Sequence, residues 1–197
     1  QQTLDYVQAL YEKKLATYPR TDSQYLTEDM QATAASLILW LRDNMPFGKG
    51  CTGEPDIDRV TDGSKVTDHH AIIPTVEIAR TDLSELPSGE RDVLTLIAAR
   101  LLCATAQAHR FEAVTAVLDC GGHSFTAKGK TVLQTGWKEV ERLYRMELKQ
   151  SKAEEKENED TALPPLQEGQ VFETVSASVR QDRKNHAAQA FHRSYML

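Results

Sequence analysis

The apolar residues of this chain change their period part-way along, and that change constrains the fold more than any other feature. Up to about Ala106 they recur at helical spacing; from Phe111 onward they alternate. Thr3 to Leu15 presents Leu4, Val7, Leu10, Tyr11 and Leu15 near one helical face. Thr27, followed by Glu28 and Asp29, predicts the N-cap of a second helix through about Arg42, with acidic residues suiting the dipole. A loop rich in Gly, Pro and Asp follows from Asn44 to Gly63. Pro87-Ser88-Gly89-Glu90 then opens a third helix through about Ala106, with Val93, Leu94, Leu96, Ile97, Leu101 and Leu102 as its buried stripe. Phe111 to Cys120 reads as a strand, Gly121-Gly122 as a hairpin turn, and His123 to Leu133 as the returning strand, with a bulge near Gly129. Gln170 to Val179 alternates again and predicts a third strand. Lys149 to Asp160 holds no large apolar residue and reads as a solvated loop. The boundary between a helical domain and a β-rich one falls near His109.

Composition narrows the function classes. With 40% hydrophobic and 26% charged residues among 197, a packed core is possible. The net charge of −6 argues against a chain held to nucleic acid by its overall charge, although a local basic site remains open. No apolar run approaches the roughly 20 residues that span a bilayer, and Gln1-Gln2-Thr3-Leu4-Asp5 is no secretory leader. The first residue is not Met, so a piece of a longer cytoplasmic protein is expected. Cys51, Cys103 and Cys120 are odd in number and widely spaced, supporting neither a disulfide framework nor a zinc ribbon.

Two short stretches carry the chemistry. In Thr17-Tyr18-Pro19-Arg20-Thr21-Asp22-Ser23, the proline disfavours the α region at Tyr18, so the first helix should end there and leave the phenol on a loop. Arg20, two residues on, would point to the same side in an extended chain. Phenols ionise near pH 10 and are poor nucleophiles at neutrality. A neighbouring guanidinium favours the phenolate and can grip a phosphate bidentately. Tyr plus Arg therefore suits attack on a phosphodiester. The same residues also fit a packed tyrosine beside a surface charge. In Asp68-His69-His70-Ala71-Ile72-Ile73-Pro74-Thr75, a histidine could donate to a phosphate oxygen or orient a leaving group. One capping and one exposed histidine fit equally. A metal centre fits less well, because adjacent side chains diverge and no further ligands follow at a recognised spacing.

Together, Tyr11-Glu12-Lys13-Lys14-Leu15, Tyr18-Pro19-Arg20-Thr21-Asp22-Ser23 and Asp68-His69-His70-Ala71-Ile72-Ile73-Pro74-Thr75 resemble the central region of type IA DNA topoisomerases. Pro19 and the paired histidines look like the topoisomerase III branch rather than topoisomerase I. The resemblance covers roughly residues 1 to 182. It implies a multidomain α+β protein: a helical gate domain carrying the active-site tyrosine, followed by part of the β-rich arch of a toroid. By the match, Tyr18 attacks single-stranded DNA and becomes joined to the 5′ phosphate, releasing a 3′ hydroxyl, with no nucleotide cofactor. Arg20 positions the scissile phosphate, and His69 contacts the DNA backbone and assists cleavage. Thr17, Thr21, Asp22, Ser23 and His70 are expected to bind DNA or order the loop. The resemblance also implies that Mg²⁺ belongs to an N-terminal domain absent from this sequence, that no cofactor or metal is held here, and that single-stranded DNA and the remaining domains are the partners.

These expectations divide the chain into residues 1–108 as gate domain, 109–184 as arch segment and 185–197 as a tail. In the tail, His186-Ala187-Ala188-Gln189-Ala190-Phe191-His192-Arg193-Ser194 departs from the Thr-Pro-Pro-Lys-His-Phe-Thr-Glu expected of the family. One possible coding stretch yields the family residues in a frame one base later, so 185–197 reads as a non-native, frameshifted segment. Two other readings compete: a module that binds single-stranded DNA without catalysis, and a tyrosine recombinase, in which the nucleophile would follow the arginine and histidine rather than precede them.

Overall fold

The computed structural model describes residues 2–149 and 162–172. The chain divides into a unit spanning Gln1–Leu163 and a second spanning Pro164–Leu197. The first is a mixed α+β unit. It contains α1 (Gln2–Glu12), α2 (Gln31–Asn44), α3 (Ser88–Thr105), an antiparallel pair β1 (Arg110–Cys120) and β2 (His123–Gln134), and α4 (Trp137–Lys149), with several single 3-10 turns between α2 and α3. No helix among the described residues is long and apolar enough to cross a membrane.

Helix α1 stops earlier than Pro19 would require. Lys14 adopts φ 61°, its N–H donates to Tyr11 O at 2.8 Å, and the Leu15 N–H donates to Leu10 O at 2.8 Å. Those two bonds form a Schellman motif, with Leu10 and Leu15 both buried beside it. The terminator is a lysine in a conformation usually left to glycine, so residue type concealed it. Thr27 is extended but makes no side-chain cap; a 3-10 turn, Glu28–Met30, precedes α2 instead. Helix α3 runs as expected, though Leu96 is exposed and the buried face continues through Ala98, Ala99 and Thr105.

The core lies among the four helices. Leu10, Ile38, Leu41, Phe47, Leu94, Leu102 and Val140 are each at most 1% exposed. Helix α4 is absent from the sequence expectations, yet Trp137, Val140, Leu143 and Tyr144 form an apolar face at helical spacing. It returns the chain to the helical body after the hairpin. Gly50 permits that docking, because a Cβ there would collide with the backbone of Val140. Phe47 meets the Tyr144 ring edge-on, with centroids 5.5 Å apart.

The hairpin pairs Cys120 with His123 across Gly121 (φ 60°) and Gly122 (φ 81°), the two positive angles of a type I′ turn. The irregularity lies at its base, not near Gly129: Arg110 pairs with Gln134 and Phe111 with Val132, leaving Leu133 extra. Gly129 pairs regularly with Val114; its missing side chain instead admits Leu163, which a Cβ would strike.

In the second unit, Gln167 to Gln170 forms a turn around Gly169 at φ 75°, and Val171 and Phe172 carry no strand. Residues 173–179 of the expected third strand, 150–160 of the charged run and the 185–197 tail lie outside the described residues.

Candidate active site

Beyond Lys14 the chain is neither helix nor sheet, yet it is held on both sides by residues 60–75. Ala16 forms an isolated antiparallel bridge with Pro74, where the Thr17 N–H donates to Ile73 O and the Thr75 N–H to Leu15 O, both at 3.0 Å. Farther on, Leu26 forms a parallel bridge with Thr61, donating to Val60 O at 2.7 Å and accepting from the Asp62 N–H at 3.0 Å. The Ala71 N–H donates to Tyr25 O at 2.9 Å. Leu15, Ala16, Leu26, Ile73 and Pro74 are buried along the seam. Burial of those side chains offsets the chain entropy of bringing the two segments together.

Pro19 interrupts this pairing because it has no N–H to give, and Tyr18 is left half-buried with Arg20 exposed beyond it. The Tyr18 ring lies against the His69 imidazole, centroids 4.3 Å apart and planes at 45°. Tyr11, from the last turn of α1, meets Tyr18 edge-on at 5.3 Å. Arg20, Thr21, Asp22, Thr67, Asp68 and His69 line an open cleft of about 420 Å³. The structure therefore brings Tyr18, Arg20, Thr21, Asp22 and His69 to one place from two segments distant in sequence. Tyr11, Thr67 and Asp68 join them; Tyr11 and Asp68 stand in the motif stretches, but the sequence predicts no site role for any of the three.

The other expected residues face the backbone. Thr17 Oγ1 donates to Ala71 O and accepts from the Ile73 N–H. Ser23 Oγ donates to Lys65 O at 2.9 Å and accepts from the Tyr25 N–H at 3.1 Å. His70 Nδ1 is 2.8 Å from Ala71 O, and since a carbonyl only accepts, that nitrogen carries the proton. Asp22 accepts a long bond, 3.4 Å, from Thr67.

Charge in the cleft is mixed. Arg20 shares it with Asp22 and Asp68, so attraction of an anion cannot come from net charge and must come from directional bonds to Arg20 and His69. Lys65 is committed elsewhere: its ammonium pairs with Asp62 at 2.9 Å and sits 4.3 Å from the Tyr25 ring centroid. Hydrogen bonds from Ser64 and Lys65 hold the Asp62 carboxyl below its ordinary range. Among the described residues no group of three or more His, Cys, Asp or Glu converges as a metal-ligand set. A second cleft, between α3 and α4, is lined by Leu96, Ala99, Cys103 and Tyr144 among others and by none of the motif residues. Burial pushes the Cys103 thiol up to about 11 and raises the Tyr144 phenol, so neither is a nucleophile at neutral pH.

Comparison with known proteins agrees with the motifs. A family model described as DNA topoisomerase matches residues 1–191. DNA topoisomerase 3 of Bacillus subtilis is 37% identical over 177 residues, covering 87% of this chain and 23% of that protein. DNA topoisomerase 3 of Staphylococcus saprophyticus is 36% identical over 174 residues, 85% of this chain and 22% of that protein. The Bacillus licheniformis DNA topoisomerase 3 is 34% identical over 181 residues, 89% of this chain and 24% of its own length. The chain thus spans less than a quarter of the length of each of these relatives.

Proposed function

The chain belongs to the type IA DNA topoisomerase family and is topoisomerase III-like, and on that premise we propose that it supplies the tyrosine gate with which such an enzyme cuts and rejoins single-stranded DNA. The observation that carries this reading is the convergence of Tyr18 and His69 beside a cleft lined by Arg20. The Tyr18 hydroxyl oxygen attacks the phosphorus, a new P–O bond to tyrosine forms, and the bond to the 3′ oxygen breaks. The phenolic proton leaves and the departing 3′ oxygen gains one, so atoms balance without a nucleotide. One phosphoester replaces another, which leaves the step near thermoneutral and reversible.

Arg20 grips the scissile phosphate and offsets the charge that develops on its oxygens. His69, in contact with Tyr18, donates to the DNA backbone beside it. Thr17, Ser23 and His70 order the loop through their backbone bonds. We assign no metal to this cleft, whose two carboxylates, Asp22 and Asp68, share it with Arg20. Any Mg²⁺ is assigned to the length of the relatives that this chain does not match. On this reading the gate joins the remaining domains of its enzyme on nucleoid DNA in the cytoplasm.

The test uses a full-length enzyme carrying this segment and a labelled single-stranded oligonucleotide. The wild type forms a covalent adduct at Tyr18 through a 5′ phosphate, and Tyr18→Phe forms none. An adduct at another residue, a 3′ linkage, or DNA binding with no adduct under any condition overturns the reading. The 197-residue chain alone is expected not to relax supercoiled plasmid.

A further inference from the structure

Two threonines, four residues apart, bracket Tyr18-Pro19-Arg20, and their hydroxyls make the same pair of bonds. Thr17 Oγ1 donates to Ala71 O at 3.2 Å and accepts from the Ile73 N–H at 2.9 Å. Thr21 Oγ1 donates to His69 O at 2.7 Å and accepts from the Ser23 N–H at 3.0 Å. Each hydroxyl has one proton, and both spend it on the facing segment, 54 and 48 residues away in sequence. They do so where main-chain pairing fails. Pro19 has no N–H, and between the Thr17 bond to Ile73 and the Tyr25 bond to Ala71 no main-chain hydrogen bond joins the two segments among the described residues.

The Thr21 bond ends on His69 itself. The His69 side chain is exposed, and among the described residues no hydrogen bond holds its imidazole. What locates that ring is its main chain, tied down by Thr21, together with its face against Tyr18. We propose that Thr21 is a positioning residue whose hydroxyl, acting through the His69 carbonyl, sets the imidazole against the Tyr18 phenol, with Thr17 as the second anchor two residues farther along. The catalytic consequence rests on the function proposed above; the positional one does not.

Two readouts separate them. In the 197-residue chain, the His69 Cε1–H resonance carries a ring-current shift from Tyr18, identified by its loss in Tyr18→Leu. Thr21→Val, which exchanges the hydroxyl for a methyl, moves that resonance to the Tyr18→Leu position, and Thr21→Ser restores it. In a full-length enzyme carrying this segment, Thr21→Val slows single-turnover cleavage about tenfold, the size of effect expected when one positioning hydrogen bond is lost. Oligonucleotide affinity stays within about twofold, because the loss falls on rate and not on binding, and Thr21→Ser recovers the rate. If Thr21→Val fails to fold, Thr21→Ala is measured in its place. An unmoved His69 resonance, or a serine variant as impaired as the valine one, overturns the proposal. A shifted resonance in an enzyme that forms no Tyr18 adduct sinks the proposed function and leaves the positioning role standing.

Discussion

Residues 15–26 and 60–75 contain two isolated bridges and one complete 3-10 turn, Gly63–Lys65, whereas β1 and β2 pair continuously but for Leu133. By regularity the hairpin is the more structured region. By burial the order reverses. Leu15, Ala16, Leu26, Ile73 and Pro74 are buried in the irregular clasp, while of the hairpin only Gly129 is buried and Val117, Phe125 and Leu133 stand open. The hairpin satisfies its backbone locally and has little apolar surface covered. The clasp satisfies its backbone through threonine and serine hydroxyls and is anchored in the core. A repeating ladder measures local pairing; integration into the protein depends on burial, and the candidate site sits in the open stretch between the buried ends of the clasp.

The largest expected consequence is in stability. Leu26→Ala should cost about 2–5 kcal/mol, as for a fully buried leucine, whereas Val117→Ala, at a residue 71% exposed, should change stability by no more than about 0.5 kcal/mol. Urea denaturation of both variants would decide; equal losses would break the comparison. Next comes the turn. Gly121 at φ 60° accepts alanine at a cost of about 1–2 kcal/mol. If the hairpin is locally self-contained, that cost appears as faster amide exchange in β1 and β2 with little change elsewhere. A uniform loss of protection would show that the hairpin unfolds with the body.

The smallest effect is the most discriminating, because Lys14 has nearly the same backbone conformation, φ 61°, at the entrance to the clasp. Lys14→Gly removes the left-handed strain and should raise stability by about 0.5–1 kcal/mol. The gain should register as a higher global midpoint, since Lys14 leads directly into the buried seam. A gain confined to the exchange rates of α1 would place the clasp outside the cooperative unit.

The same contrast explains what could be read from residues and what could not. Helix α3 and the hairpin were legible, since a proline at the helix start, an apolar period and a Gly-Gly turn all act through neighbouring residues. Helix α4 carries an equally readable period in Trp137, Val140, Leu143 and Tyr144, but its many charges and the strand pattern before it mask that period. The end of α1 was not legible, because nothing about Lys14 as a residue type announces a left-handed terminator. Within the site, the motifs around Tyr18 and His69, Asp68 among them, stand out by composition, yet nothing local places Tyr11 or Thr67 beside them.

Sequence alone therefore determined the period switch, the hairpin turn and the side-chain chemistry available at residues 17–23 and 68–75, since each depends on local geometry or residue type. Tertiary structure decided that the His69 ring meets Tyr18, that Arg20 shares a cleft with Asp68, and that α4 closes over Gly50. Those arrangements arise only when segments separated by tens of residues bury a common seam, and the free energy of that burial is a property of the folded pair, absent from either segment by itself.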